Sequence, residues 1–408
     1  VKDACIIDCV RTPRGKGKPG GALHSVHPQD LLGQCLNELV ARVGFDPAEV
    51  DDIVVGVGVA SADHDNIGRL APLAAGWPVS SPGVIVSRLC GSGQQAITFA
   101  AMGIMSGMQD LVVAGGVESM SRWPIPTGPP LIDGGNPAFR ARYPTVPQGI
   151  SADLIATLEE FTRHDCDALA LESQERAAKA IAEGRFDRSM ITVRHSDGSV
   201  ALDHEEHPRP GTTLDSLATL RPAFQELGAA VIPPMDHSLD EVVRSVYPQV
   251  GTINHVHHAG NSSGVVDGAA ALLLAGPDVV HAHGLKPRAR IRMTAVRGAD
   301  PVIMLTAPAP AAKLCLDKAG MTTADIDLWE INEAFAAVVI KACRDLDLSG
   351  ENVNVNGGAI ALGHPIGASG AILIGTALDE LERRDEQTAL ITICTGGGMA
   401  TATIIERI

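Results

Sequence analysis

The stretches "AEVDDIVVG" at residues 48–56 and "ADIDLWEIN" at 324–332 decide the fold, because they read as one pattern written twice. Val50 and Ile326 hold matching places in them, and each is followed 41 residues later by a glycine, Gly91 or Gly367, at the start of a helix-like segment. Around the first copy, apolar strand-like runs alternate with a helical pattern in "DDIVVGVGVA", "QQAITFAAMGIMSG" and "DLVVAGGVES". Around the second, the alternation returns in "DIDLWEINEAF", "GASGAILIGTALDEL" and "TALITICTGGGM". Continuous apolar strands between helices indicate a sheet covered on both faces. Two α/β halves of one pattern imply an approximate two-fold. Loops at equivalent strand ends, including those that carry Cys90 and His364, then meet at one site.

Composition agrees with packed α/β layers. The 408 residues are 45% hydrophobic and only 3% aromatic, enough for a large core of small aliphatic side chains. A formal charge of −16 argues against non-specific nucleic-acid binding, which needs a basic face. An anionic substrate needs local cations or helix N-termini instead. The start "VKDACIIDCVRTP" reads as a buried strand and loop rather than a signal peptide, and no window suggests a membrane span. Eight cysteines without a CxxC pair suggest neither a disulfide framework nor a metal site, so a cytoplasmic protein is expected.

The middle of the chain breaks the rhythm. "SRWPIPTGPPLIDGGNPAFRARYPTVPQG" (121–149) is rich in Pro and Gly, an amphipathic helix follows in "TRHDCDALALESQERAAKAIAEG" (162–184), and "HEEHPRPGTTLDSLATLRPAF" (204–224) reads as loop and short helix. The expected division is a first half over 1–119 plus 252–280, a loop domain over 120–251 that covers the site, and a second half over 281–408.

Four segments carry candidate chemistry: "SRLCGSGQQA" with Cys90, "WEINEAFAAV" with Asn332, "NVNGGAIALGHPIGASGA" with His364, and "TICTGGGMAT" with Cys394. A cysteine at the start of a helix meets unpaired backbone N–H groups and the positive end of the dipole, which should lower its pKa. Gly91 and Gly93 beside it would leave room for a thioester to approach. A neutral imidazole at His364, held among glycines and by Pro365, can accept the thiol proton.

Together these segments resemble the signature segments of the thiolase family. "RTPRGKGKPGGAL" (11–23), "AGGVESMS" (114–121) and "AGNSSGVVDGAAA" (259–271) extend the resemblance over nearly the whole chain, in family order. The resemblance implies a thiolase fold: two similar βαβαβαββ halves in a five-layer αβαβα arrangement with an inserted loop domain. It implies an acyltransferase of lipid metabolism that cleaves 3-ketoacyl-CoA with coenzyme A and can run backwards as a Claisen condensation. Cys90 would be the acylated nucleophile, His364 its base, and Cys394 the second acid/base. Gly396 would give one N–H to an oxyanion hole, and Asn332 would hold a water for another. Arg209, Ser216 and Ser263 match positions that touch coenzyme A, which is substrate rather than resident cofactor. A homodimer or homotetramer is expected, with no nucleic-acid partner and no metal.

Several features depart from the family or distract from it. Where biosynthetic-type thiolases carry a His-Met-Gly segment along the acyl pocket, this chain reads "VPQGIS", with Pro147 and Gln148. That resembles degradative or broad-chain members more than an acetoacetyl-CoA-forming enzyme. In "TINHVHHAGN", His255 and His257 would share a strand face as metal ligands could, but no Cys, Asp or Glu stands at ligand spacing. With His258 they read as sheet or interface residues. Glu118 reads as a structural hydrogen-bonding carboxylate, and the basic run "RTPRGKGK" as solvated surface charge. The competing readings are a ketoacyl-synthase-type condensing enzyme, which usually uses a Cys-His-His set, and a catalytically silent lipid-carrier or scaffold protein, which should have lost one of the three reactive side chains.

Overall fold

Both quoted stretches become strands, each beginning two residues after Val50 or Ile326. The computed structural model describes residues 2–124, 132–233 and 235–408; residues 125–131 of the Pro- and Gly-rich stretch lie outside the described residues. In chain order the strands are β1 (Cys5–Arg11), β2 (Gly15–Lys16), β3 (Asp52–Gly56), β4 (Val84–Val86), β5 (Leu111–Ser119), β6 (Val193–Arg194), β7 (Val200–Leu202), β8 (Val266–Ala275), β9 (Ala289–Gly298), β10 (Leu328–Ile331), β11 (Thr388–Thr395) and β12 (Met399–Arg407).

The first half orders its strands β1-β8-β5-β3-β4 and the second β9-β12-β11-β10. Pair by pair the two agree. β3 runs parallel to β5 and β4, as β10 runs parallel to β11 and Trp329 bridges Val353 in parallel. β5/β8 and β8/β1 are antiparallel, as are β11/β12 and β12/β9. The halves join edge to edge where Cys5 and Ile6 of β1 meet Arg290 and Ala289 of β9. The duplicated pattern is therefore a duplicated topology.

Alternation along the strands builds the layers. On β8, Leu272 and Leu274 face the central core, while Ala271 and Leu273 face the outer one. The central core is filled by the helices Ser92–Ser106 and Ser369–Arg384, one from each half, packed between the half-sheets. Outside the first half-sheet lies the helix Pro28–Val43, opened by Pro28 and stopped at Gly44 with φ 78. Outside the second lie Pro308–Ala319 and Ala336–Leu346. The five layers αβαβα follow.

The central helices cross at nearly bare backbone. A Cβ on Gly93 would stand 2.6 Å from the Gly367 carbonyl oxygen, and one on Gly370 would stand 2.3 Å from the Gln94 nitrogen. This corrects the expectation that Gly93 clears a path for substrate; it lets the halves touch. In the middle of the chain, the amphipathic helix appears as Arg163–Ala182, started by a capping box between Thr162 and Asp165. The loop-and-short-helix segment contains Leu214–Ala218. Among the described residues no helix is long and apolar enough to cross a membrane.

Candidate active site

Cys90 sits where the chain turns from β4 into the central helix Ser92–Ser106, with Gly91 at the N-cap. The turn is strained: Leu89 holds φ at 47, a left-handed conformation that a branched side chain seldom takes. The Ser92 hydroxyl stabilises it, accepting from the Arg88 N–H at 2.9 Å and lying 2.6 Å from the Leu89 carbonyl. A Cβ on Gly91 would meet the Thr395 methyl at 2.8 Å, so this glycine too is dictated by contact with the second half.

The expected lowering of the Cys90 pKa is reversed. Burial pushes the thiol up to about 11, and the Gly396 N–H and the Gln148 side chain offset only part of that. The helix terminus is present, but desolvation outweighs it. At neutral pH the resting group is a thiol that must hand its proton to a base. Alkylation of Cys90 by iodoacetamide is therefore expected to accelerate with pH beyond pH 9, as thiolate accumulates; a plateau below pH 8 would contradict this.

His364 lies in the loop before the other central helix. Its backbone N–H donates to the Gly264 carbonyl at 2.8 Å. Its Nδ1 is 2.6 Å from the Ser369 hydroxyl, which itself reaches the Pro365 carbonyl at 3.0 Å. With the hydroxyl proton given to that carbonyl, Ser369 accepts from Nδ1–H, and the lone pair falls on Nε2. Nε2 is buried without a partner among the described residues. Burial, then the nearby Arg14 guanidinium, pull the imidazole down to about 4, so it is neutral and able to take a proton.

Cys394 is the penultimate residue of β11, opposite Ala400 of β12. It is not at a helix terminus, so the dipole argument does not extend to it. Burial and the neighbouring Cys90 sulfur raise its pKa. The glycines after it make the hairpin turn into β12, Gly397 and Gly398 at φ 79 and 77. Gly396 precedes them; a Cβ there would meet Leu89 at 2.7 Å and Gln148 at 3.2 Å. Asn332 follows the end of β10, its N–H bonded to the Thr392 carbonyl at 3.0 Å. Its Nδ2 is buried without a partner among the described residues. Glu118, at the end of β5, accepts from the N–H groups of Gly58, Val59 and Gly367 at 2.8, 3.3 and 2.9 Å, tying the His364 loop to the first half. Two thiols, the Gly396 N–H on one of them, a neutral imidazole with a free lone pair and the unpaired Asn332 amide are a set suited to acyl transfer.

Residues 4–232 match the family model of the thiolase N-terminal domain and 285–407 that of the thiolase C-terminal domain. The chain belongs to the thiolase family. It is 41% identical over 419 aligned residues to a steroid 3-ketoacyl-CoA thiolase of Mycobacterium tuberculosis, covering all of this chain and 95% of that protein. It is 38% identical over 423 residues to a 3-ketoacyl-CoA thiolase of Bacillus subtilis, covering both chains fully. Among solved structures it resembles the Bacillus anthracis acetyl-CoA acetyltransferase, with TM-score 0.84 at 37% identity, covering 100% of this chain and 99% of that one. It also resembles human mitochondrial 3-ketoacyl-CoA thiolase, with TM-score 0.83 at 33% identity and the same coverage.

The residues that the thiolase resemblance ties to coenzyme A divide into two groups. Ser263 lies beside the imidazole segment: its N–H donates to the Ala334 carbonyl, and the next residue, Gly264, accepts from His364. Arg209 and Ser216 sit further out on the loop region. Arg209 is exposed, with no side-chain partner among the described residues, and the Ser216 hydroxyl is occupied with Thr213 in a capping box.

Two other expectations are corrected. Arg11 and Arg14 of the basic run are buried, their guanidinium nitrogens 2.7 and 3.8 Å from Glu205, because the turn after β1 lies beneath residues 203–207. The His255–His258 segment forms no strand. His255 and His257 both bond Asp153 at 2.7 Å, and His258 bonds Asp167 at 2.8 Å. The carboxylates missing by sequence spacing come from the helices Gln148–Leu158 and Arg163–Ala182, so these histidines pin the middle segment. Sequence reasoning missed Ser369 and Arg14 as neighbours of the imidazole. Ser369 had a usable signal, a hydroxyl five residues past His364 at the start of a helix; Arg14 had none.

Proposed function

We propose that the chain cleaves 3-ketoacyl-CoA with coenzyme A, through an acyl-enzyme on Cys90. Nε2 of His364 takes the Cys90 proton as the sulfur attacks the 3-keto carbon. The oxyanion formed at C3 is met by the N–H of Gly396, and the enolate oxygen that develops as C2 leaves is met on the Asn332 side. The C2–C3 bond then breaks, its electron pair goes to C2, and the Cys394 thiol protonates C2 to release acetyl-CoA. The Cys394 thiolate takes the proton of incoming coenzyme A. The resulting coenzyme A thiolate attacks the acyl carbon, and Cys90 leaves with the proton held on His364. Atoms and charges balance, and the steps reverse as a condensation. The free, neutral Nε2 of a buried imidazole, alongside paired thiols, supports this reading most.

An acetoacetyl-CoA-forming enzyme and a silent scaffold are both less favoured, since relatives named 3-ketoacyl-CoA thiolases match the full chain and the reactive set is complete. Gln148 in place of a methionine beside Gly396 favours acyl groups beyond acetoacetyl, and the steroid-enzyme relative favours bulky ones. The division at 1–119 with 252–280, 120–251 and 281–408 belongs to the same proposal, with Arg209, Ser216 and Ser263 toward coenzyme A. So does a cytoplasmic setting, where free thiols at all eight cysteines persist. A CoA-dependent cleavage assay over 3-ketoacyl-CoA substrates of graded length, with cyclic acyl groups included, tests the function. Absence of cleavage across the panel would overturn it.

We also propose a homodimer or homotetramer. β4 is an edge strand, with Val84 and Ile85 exposed at 41% and 37%, and the adjoining central helix exposes Phe99 and Met102 at 45% and 52%. Such an edge invites a second copy. Light scattering is expected to give at least a dimer, and Ile85→Lys to shift it toward monomer; a monomeric native protein would contradict the proposal.

A further inference from the structure

A small pocket adjoins Ser369 and Asn332 but is lined by neither sulfur nor by the imidazole. Its polar walls are Arg14, Glu330, Asn332, Ser369 and Thr376, and the mechanism above uses neither Glu330 nor Thr376. The cavity measures ≈ 10 Å³, about the room that one water needs.

Three of these walls hold buried polar atoms without a partner among the described residues: Arg14 Nε, Asn332 Nδ2 and Thr376 Oγ1. A buried polar atom left without a partner is destabilising unless something satisfies it. Glu330 lies on β10 two residues before Asn332, and both side chains line this pocket. It is 4% exposed and has no side-chain hydrogen bond among the described residues. Burial, then Glu333 and Glu380, raise its pKa well above the carboxylate range, against the pull of Arg14 and Arg176, which favours the protonated form. A neutral acid can both donate and accept. The Ser369 hydroxyl, engaged with Pro365 and Nδ1, keeps one lone pair for the pocket.

We propose that Glu330 is a positioning residue for the acyl transfer: with one bound water it ties Arg14, Asn332, Ser369 and Thr376 into a single polar network that holds His364 with Nε2 free. This rests on the reading of His364 as the base. Without the network, the serine proton can turn toward Nδ1, which places the ring proton on Nε2 and removes the acceptor that Cys90 needs. The network would also fix the Asn332 amide.

The test compares Glu330→Gln, which keeps the shape and hydrogen bonding of a neutral acid, with Glu330→Ala. In Glu330→Ala, kcat and the alkylation rate of Cys90 at fixed pH are each expected to fall about tenfold or more, with KM within about twofold and full active-site labelling at completion. Glu330→Gln is expected to stay within about twofold of the native enzyme. Native-like rates in Glu330→Ala would overturn the proposal, as would equal loss in both variants or a loss that tracks only the fraction of labelled sites. If Glu330→Ala does not fold, Thr376→Val, which removes one partner of the water, is expected to lose about threefold, and no loss there would overturn the proposal. The alkylation comparison needs no thiolysis. A native enzyme that cleaves no 3-ketoacyl-CoA would defeat the functional reading, while the alkylation rates would still decide on Glu330.

Discussion

Replacing Cys90 with alanine is expected to reduce thiolytic turnover by on the order of 10⁴-fold or more, because it removes the atom to which the acyl group is transferred. The substitution deletes one sulfur from a site already 6% exposed, and the helix behind it keeps its N-cap at Gly91 and the Ser92 bonds to Arg88 and Leu89. Thermal stability should therefore change little relative to the loss in rate. The check is steady-state cleavage by Cys90→Ala, with the melting transition followed in parallel. Cys90→Ser is the stricter variant, since an alcohol is a far poorer nucleophile than a thiolate. Turnover within about tenfold of native in either variant would remove Cys90 from the reaction.

Cys394→Ala is expected to behave differently. The first half-reaction still has its nucleophile and base, so a pulse of acylated Cys90 should form from substrate, though more slowly because C2 lacks its proton donor. The second half-reaction loses the group that deprotonates coenzyme A. Steady-state turnover should fall by about 10²–10⁴-fold, the range for removal of a positioned acid/base. Because burial and then the Cys90 sulfur raise the pKa of Cys394, and Cys394 lies near a strand end with no dipole to relieve it, its thiolate is costly at rest. Proton transfer through it should be coupled to the chemistry on substrate. Added small amines or thiols of matched pKa are expected to restore part of the lost rate in Cys394→Ala. Normal turnover in this variant would refute the assigned role.

Why some of this was legible in the sequence, and some was not, follows from particular residues. The strands from Asp52 and Leu328 were readable because their buried runs recur with the same spacing to Gly91 and Gly367. Cys90 was visible as a site from its glycines, yet the reason for those glycines was misread: they admit Gly367, Thr395 and Thr401, not a substrate. The direction of its pKa was misread too, since local sequence displays the helix terminus and hides the burial that outweighs it. Arg11 and Arg14 look solvated in a basic run, and only the return of Glu205, nearly two hundred residues on, shows that they are not. Asp153 and Asp167 meet the histidine cluster across similar gaps of 102 and 91 residues, beyond any motif. Contacts of that separation belong to topology, and a motif reads only neighbours.

The most direct measurement is intact-protein mass spectrometry after rapid mixing of the enzyme with a 3-ketoacyl-CoA in the absence of free coenzyme A, followed by peptide mapping. The account predicts one acyl adduct per chain, located on Cys90, with an equal amount of acetyl-CoA released, and loss of the adduct when coenzyme A is added. An unmodified chain after substrate has been consumed, or an adduct mapped to another residue, would contradict it.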